Sequence, residues 1–359
     1  MERKLASIQR ILALDPIEGA DRIEVATVQG WKVVVQKGLH KVNDLVAYFE
    51  IDSWVPTAVA PFLTKEGQEP REYEGVRGER LRTVKLRGQI SQGVILPLDD
   101  FANLPLPPYD FLMGKWNQEG LDITEQLGVI KYEPPIPACL AGQVKGMFPG
   151  FIRKTDQERI QNLPEFFEEH KDLGFEVTVK LDGSSMTVYH RDGDTGVCSR
   201  NLDLKEDENN SFWRIVNRLH LVDILKHLGI NMAIQGELIG EGIQGNHDKL
   251  KGQELFVFDI WDIEAHRYMT RLERQDVLQA IEALLPEGEH LRSVPVVHED
   301  LKVFQAYPTM EDVLSFSGAG PSLNAPIREG LVFKSTSLVN GETVSFKAIN
   351  SAYLLLTGN

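Results

Sequence analysis

The sequence predicts an α+β protein: a small β-rich barrel or sandwich, followed by a larger domain of strands with a few helices. Three observations carry that expectation. The first hundred residues hold short β-rich runs separated by turn signals, residues 104–150 are rich in Pro and Gly, and the remainder alternates strands with a few helices. A chain of 359 residues, 42% hydrophobic and 25% charged, can build two cores of ordinary size.

In order, Ile23–Val28, Trp31–Val35 and Leu45–Glu50 read as strands, with Gly30 and Gly38 between them. Leu81–Leu86 and Gly93–Leu96 flank Arg87-Gly88-Gln89 and suggest a hairpin. The stretch Glu18 to Val28 resembles the opening of the tRNA-binding OB domains attached to some aminoacyl-tRNA synthetases, which implies an OB barrel rather than a sandwich. Pro105, Pro107, Pro108, Pro134, Pro135 and Pro137 mark an irregular connector and put the boundary near residue 145. Residues 1–145 are then an OB-like nucleic-acid-binding domain with its connector, and 146–359 the second domain.

In that second domain Ser211–Leu228 reads as one amphipathic helix, with apolar Phe212, Ile215, Leu219 and Val222 and with Gly229 past its end. Thr270 to Glu273 is a capping box before another helix that Pro286 ends. Strands are expected at Phe175–Leu181, Thr187–His190, Ala233–Ile239, Leu255–Trp261, Gly330–Phe333 and Thr343–Ala348.

The net charge of −15 argues against a protein that coats nucleic acid non-specifically, since such binding needs cations to displace counterions from phosphates. Any nucleic-acid surface must be local. The best stretch is Arg71 to Arg87, where Arg71, Arg77, Arg80, Arg82, Lys85 and Arg87 outnumber Glu72, Glu74 and Glu79. No apolar run is long enough to cross a bilayer, and Met1 to Lys4 does not open a secretion signal, so the expected compartment is the cytoplasm. Cys139 and Cys198 fall in different domains and support neither a disulfide scaffold nor a cysteine metal site. No membrane and no protein partner is expected.

The chemistry centres on Phe175 to Ser185. In an extended strand Glu176, Thr178, Lys180 and Asp182 share one face while Val177, Val179 and Leu181 share the other. Gly183 and two serines follow, a turn whose backbone can approach something bound. A lysine there is a candidate nucleophile if its amine can be made neutral. Asp182 alone favours the ammonium, and a divalent cation held by that carboxylate would reverse the effect. The same residues also suit a solvated strand face.

Gly240-Glu241-Gly242-Ile243-Gln244-Gly245 matches the dinucleotide fingerprint G-x-G-x-x-G after a strand, but the following Asn246 to Gly252 has no helical stripe to meet a pyrophosphate. That site is therefore rejected. Four other stretches repeat the pattern of polar groups on strands: Gln235 with Glu237, Phe256 with Phe258, Glu329 before Gly330, and Lys347. Taken singly they read as surface ion pairs and core.

In order they resemble the motifs of the covalent nucleotidyltransferases, the superfamily of polynucleotide ligases and RNA capping enzymes. K-x-D-G is Lys180-Leu181-Asp182-Gly183, followed by Ser199-Arg200-Asn201, Gly236-Glu237-Leu238, Phe258-Asp259, Glu329-Gly330 and Phe346-Lys347-Ala348-Ile349. The resemblance spans about residues 159 to 356. It implies a nucleotidyltransferase (ATP-grasp-like ligase) domain of antiparallel sheets with flanking helices, in which Lys180 attacks the α-phosphate of ATP to form lysyl-AMP. Arg159, Thr178, Val179, Arg200, Glu237, Phe258 and Lys347 would hold the nucleotide, with Glu237 near the ribose, Phe258 on adenine and Lys347 on the α-phosphate. Asp182 and Glu329 would hold a catalytic Mg²⁺ or Mn²⁺ through water, with Glu237 as a further metal neighbour.

An OB module in front, with only Ala348 to Asn359 after Lys347, resembles the ATP-dependent RNA ligases with an N-terminal OB domain. That implies joining of RNA 3′-OH and 5′-phosphate ends, with Arg77, Arg82, Lys85 and Arg87 on the RNA. The alternatives are an RNA capping guanylyltransferase and a nucleic-acid-binding protein with an inactive ligase domain. One departure stands out. Many ligases carry K-x-K in the last motif, where this chain has Ser345. Alternation counted from Glu329 turns Lys334, the nearest substitute, to the opposite face.

Overall fold

The computed structural model describes residues 3–101, 118–133 and 144–358, with the backbone of short strands at 109–110 and 115–116. Cys139 and the six connector prolines lie outside the described residues. The chain forms two compact units. The first comprises Met1–Pro135, Ile160–Pro164 and Ser351–Asn359, so two segments far along the sequence return to the N-terminal unit. The second comprises Ile136–Arg159 and Glu165–Asn350.

In the first unit a five-stranded sheet runs in the order Val94–Pro97, Leu45–Phe49, Ala6–Pro16, Ile23–Val28, Trp31–Gln36. Ala6–Pro16 was not anticipated. It pairs with Leu45–Phe49 through Ala6 to Arg10 and with Ile23–Val28 from Ile11 onward, with a register shift between Ile11 and Ala13. That irregularity breaks the apolar alternation and lets one bent strand serve two neighbours, as an OB-like half-barrel needs. Ile8, Trp31, Tyr48 and Phe49 are fully buried in it.

The expected hairpin is corrected. Thr83–Leu86 pairs with Gln89–Gln92, not with the run that follows, through a two-residue turn in which Arg87 (φ 49°) and Gly88 (φ 85°) are both left-handed. Such a turn matches the twist of its strands. Val94–Pro97 instead joins the barrel sheet beside Leu45–Phe49. Gly93 separates the two, at φ 102° and with space for no side chain: a Cβ would lie 2.4 Å from the Phe49 carbonyl oxygen.

The second unit is built on two sheets. An eight-stranded sheet includes Ser184–Arg191, Met232–Gly240 and Gln253–Asp262 side by side. A five-stranded sheet runs Glu158–Arg159, Ser345–Ile349, Gly330–Ser335, Phe175–Lys180, Val296–Leu301. The strand alternation holds. Phe175, Phe333 and Phe346 are fully buried on one side of the smaller sheet, Phe333 and Phe346 stacked at 4.5 Å, with Phe304 of the short helix Val303–Ala306 against Phe346 at 5.6 Å. Each buried phenylalanine contributes about 1.5–3 kcal/mol of hydrophobic burial.

On the larger sheet Met186, Val188, Ile234, Leu238, Leu255, Val257 and Ile260 pack with Trp213, Ile215, Leu221 and Leu225. The expected single helix there is two, Ser211–Arg218 and Leu221–Leu228, broken where His220 turns left-handed at φ 53°. Leu219 and Leu221 on either side of the break are both buried in the same cluster, so the apolar stripe runs on and conceals it. The Thr270 capping box is present and opens the helix Arg271–Glu282. No helix begins at the glycines of 240–245. Among the described residues no helix is long and apolar enough to cross a membrane.

Candidate active site

The polar side of the smaller sheet is set by register. Glu176 lies opposite Lys334, Thr178 opposite Val332 and Lys180 opposite Gly330; on the next strand Lys334 faces Ser345 and Val332 faces Lys347. Arg159 lies beside Lys347 on the edge strand. Paired residues share a face, so Thr178, Lys180, Lys347 and Arg159 are gathered on one wall. Val179 is turned the other way; its side chain is buried and its N–H donates to the Pro295 carbonyl at 2.9 Å.

Strand Phe175–Lys180 ends at the nucleophile candidate, and Glu329 ends the loop just before Gly330–Ser335. The Lys180 ammonium donates to Glu329 Oε1 at 2.7 Å. Gly183 brings the turn hard against the neighbouring acid strand: a Cβ there would lie 2.4 Å from the Leu238 carbonyl oxygen and 3.0 Å from Glu237 Cγ. What that glycine approaches is thus the strand carrying Glu237. Strand pairing places Glu237 opposite Ser185 and Phe256.

Between Gln235 and Gly236 the register shifts: Gln235 faces Asp259 while Gly236 faces Val257, leaving Phe258 as the bulged residue. A bulge re-aims a side chain that strict alternation would fix. Phe256 is 2% exposed, whereas Phe258 is only half-buried. Lys334 meets this bulge, pairing with Asp259 at 2.7 Å, donating to the Phe258 carbonyl at 2.8 Å and lying 5.5 Å from the Phe258 ring centroid.

The expectation for Lys334 is therefore corrected: it shares the face of Lys180 and Lys347. Counting from Glu329 gave the wrong phase because Glu329 precedes the strand. Its ammonium is nonetheless engaged by Asp259 and the Phe258 carbonyl. Arg200 sits in the turn between Asp194–Cys198 and Leu202–Leu204 and pairs with Asp156 at 2.9 Å. Asp156 and the half-buried Val332 in the middle of the wall carried no signal in the sequence that singled them out.

In the other unit, Lys85 and Arg87 are exposed on the Thr83–Gln92 hairpin and Arg82 is exposed just before it. Arg77 is not brought into that hairpin. It lies on Val76–Arg80, in a four-stranded sheet, 3.8 Å from Glu69.

Electrostatics separate the two central groups. Burial works against charge on the Lys180 amine, but Glu329, Glu237 and Asp182 outweigh it and hold its pKa above the ordinary lysine value. Burial pushes the Glu237 carboxyl up to about 8; Lys180 opposes this, and Glu329 and Asp182 add to it. A carboxyl with a folded-state pKa near 8 and an ordinary value of 4.5 adds stability that is complete below pH 4.5 and is lost as pH rises to 8. Glu237→Gln is therefore expected to melt higher than the parent at pH 8, without nucleotide or metal, with the gap shrinking toward pH 5. Melting curves at both pH values check this.

Among the described residues no three His, Cys, Asp or Glu side chains stand close enough to hold a metal directly. Among the described residues Glu329 Oε2 is buried without a hydrogen-bond partner, and Asp182 and Glu237 act on the same lysine. One orphaned carboxylate oxygen among three acids fits a hydrated divalent cation held through water.

Two family models match the chain: an OB-fold domain at residues 5–98 and RNA ligase at residues 174–349. No curated protein matches. Among solved structures, a Naegleria gruberi RNA ligase variant with AMP and Mn is 45% identical, with TM-score 0.86 and 99% of each chain covered. The chain belongs to the RNA ligase family. The Naegleria gruberi RNA ligase with PPi is 46% identical to this ligase, with TM-score 0.85 and 99% of each chain covered. A further Naegleria variant, with ATP and Mn, is 45% identical, with TM-score 0.85, 98% of this ligase and 99% of that chain covered.

Proposed function

We propose that this ATP-dependent RNA ligase joins RNA 3′-OH and 5′-phosphate ends, using Lys180 as the nucleophile and Mg²⁺ or Mn²⁺ as its metal. The observation that carries the assignment is Lys180, 2.7 Å from Glu329 and under the field of Glu237 and Asp182, on a sheet face that also holds Lys347 two strands away. Held as an ammonium by these acids, the amine does not attack. Asp182 and Glu329 would hold a divalent cation through water, and that charge would offset the field and neutralise phosphate.

The neutral Lys180 amine then attacks the α-phosphorus of ATP; an N–P bond forms, the bond to the β-phosphate oxygen breaks, and pyrophosphate leaves. Next an RNA 5′-phosphate oxygen attacks the same phosphorus, and Lys180 leaves and takes back a proton. In the last step the 3′-OH attacks the RNA 5′-phosphorus and gives up its proton to solvent; the new O–P bond joins the ends, the P–O bond to the adenylate breaks, and AMP leaves with the electron pair. Arg159 on the edge strand and Lys347 on the strand next to it suit the α-phosphate, and Arg200 suits phosphate beside Glu237. Phe258, re-aimed by its bulge, and Val332 offer apolar surface to the base, with Thr178 and the Val179 backbone alongside. Labelled ATP and labelled GTP, compared for covalent transfer to the protein, test the assignment; GTP alone giving an adduct would favour a capping-type reaction.

For RNA, the exposed cations Arg82, Lys85 and Arg87 at the hairpin suit a phosphate backbone, with Arg77 on a separate sheet of the same unit. Replacing Arg82, Lys85 and Arg87 by Ala is expected to weaken RNA binding and reduce the slope of log K against log salt by about two to three, one counterion per lost contact. Titrations at several salt concentrations measure that slope.

A further inference from the structure

Glu329 stands outside its strand, so its hold on Lys180 depends on what fixes the loop before it. Its carbonyl accepts the Asn350 N–H at 2.8 Å, and Arg328 donates to the Phe316 and Ser317 carbonyls at 2.7 and 3.0 Å, at the end of helix Met310–Gly318. The loop itself is gripped by Asp248. That side chain is 3% exposed, and three donors converge on it: the Asn324 and Ala325 N–H groups on Oδ1 at 2.8 and 3.0 Å, and the Ser322 hydroxyl on Oδ2 at 2.7 Å. The Asn324 side-chain amide donates back to the Asp248 carbonyl at 3.1 Å, and the His247 ring donates to the Ile327 carbonyl at 2.6 Å.

Asp248 and His247 belong to the glycine-rich loop 240–252, whose match to a dinucleotide fingerprint has no use here. This loop joins the strand of Glu237 to the strand of Phe258. Asn246 stiffens it, its side chain bridging both the N–H and the carbonyl of Leu250 at 3.0 Å. The grip therefore runs from the sheet carrying Glu237 and Phe258 to the segment that ends in Glu329 on the other sheet.

We infer that Asp248 is a positioning residue that sets Glu329 against Lys180 in register with Glu237, acting through loop 319–328 and touching neither nucleotide nor metal. An acceptor-only carboxylate suits three converging donors. Asparagine keeps one oxygen for the two N–H groups, and the Ser322 hydroxyl can turn to accept from its amide. Alanine leaves all three donors without that partner. Displacing Glu329 disturbs the Lys180 amine while leaving the surfaces offered to the base intact, so the rate constant should fall and the apparent KM for ATP should not.

The inference rests on Lys180 being the nucleophile, and the parent enzyme is the control for that. No adduct on the parent overturns the functional assignment; a normal parent with an unaffected variant overturns only the role of Asp248. With single-turnover adenylylation as readout, Asp248→Ala is expected to lose about tenfold to a hundredfold in rate at saturating ATP. Its apparent KM should change by less than about twofold. Asp248→Asn should recover to within about threefold of the parent. Should the alanine variant not fold, Ser322→Ala, which spares both N–H contacts, should still lose about threefold in rate at constant KM. A folded Asp248→Ala or Ser322→Ala with the parent's rate, a loss confined to KM, or an Asn variant as slow as the Ala variant contradicts the inference.

Discussion

Lys180→Ala and Lys180→Arg are both expected to lose protein adenylylation by on the order of 10³-fold or more, because no other group replaces a covalent nucleophile. Arginine tests the chemistry more sharply than alanine. It preserves a cation that can face Glu329 at a site where Lys180 is 28% exposed, so the fold and the local charge are largely kept. Its guanidinium stays protonated at any working pH and has no lone pair to offer phosphorus. Sealing of RNA that already carries a 5′-adenylate should survive in both variants, since that step breaks the RNA adenylate and makes no bond to the enzyme. Gel assays with labelled ATP and with pre-adenylylated RNA separate the two steps.

The second large effect is expected at Glu329. Under the proposed assignment its carboxylate does two opposed things: it hydrogen-bonds the ammonium of Lys180, and its buried Oε2, without a hydrogen-bond partner among the described residues, would anchor a hydrated cation. Glu329→Ala removes one of the acids that raise the lysine pKa, so the acidic limb of the rate profile, on which activity rises as Lys180 deprotonates, should move to lower pH. That gain is small beside the loss of charge neutralisation at the transferring phosphoryl group, where one fixed electrostatic contact contributes about 10²–10³ in rate. The net expectation is a fall of about a hundredfold at fixed metal, with half-maximal activity at a higher metal concentration. Asp182→Asn should show a weaker form of the same metal shift. A metal titration that coincides with the parent's would place both acids outside the metal's reach.

Strand alternation made much of this legible in advance. Lys180, Glu237 and Lys347 sit on strands whose apolar partners pack as the alternation requires, so these motif residues could be assigned to faces before any contact was known. The failures occur where the period is interrupted. The bulge at Phe258 changes which neighbours its strand presents, and the phase of Lys334 was misjudged because Glu329 lies before its strand. The helix break at His220 was hidden by buried residues on both sides. Long-range ties such as Asp156 with Arg200, or Asp248 with Ser322, join segments with no periodic relation, and a single sequence carries no sign of them.

The most direct test of the account is to locate the covalent bond. The protein is incubated with ATP labelled at the α-phosphate and a divalent metal, digested under alkaline conditions that spare a phosphoramidate, and its peptides are mapped by mass. One modified peptide is expected, carrying the mass of one AMP on Lys180 and losing it on mild acid treatment. AMP on any other residue, or no covalent AMP on a folded protein that still seals RNA with ATP, would contradict it.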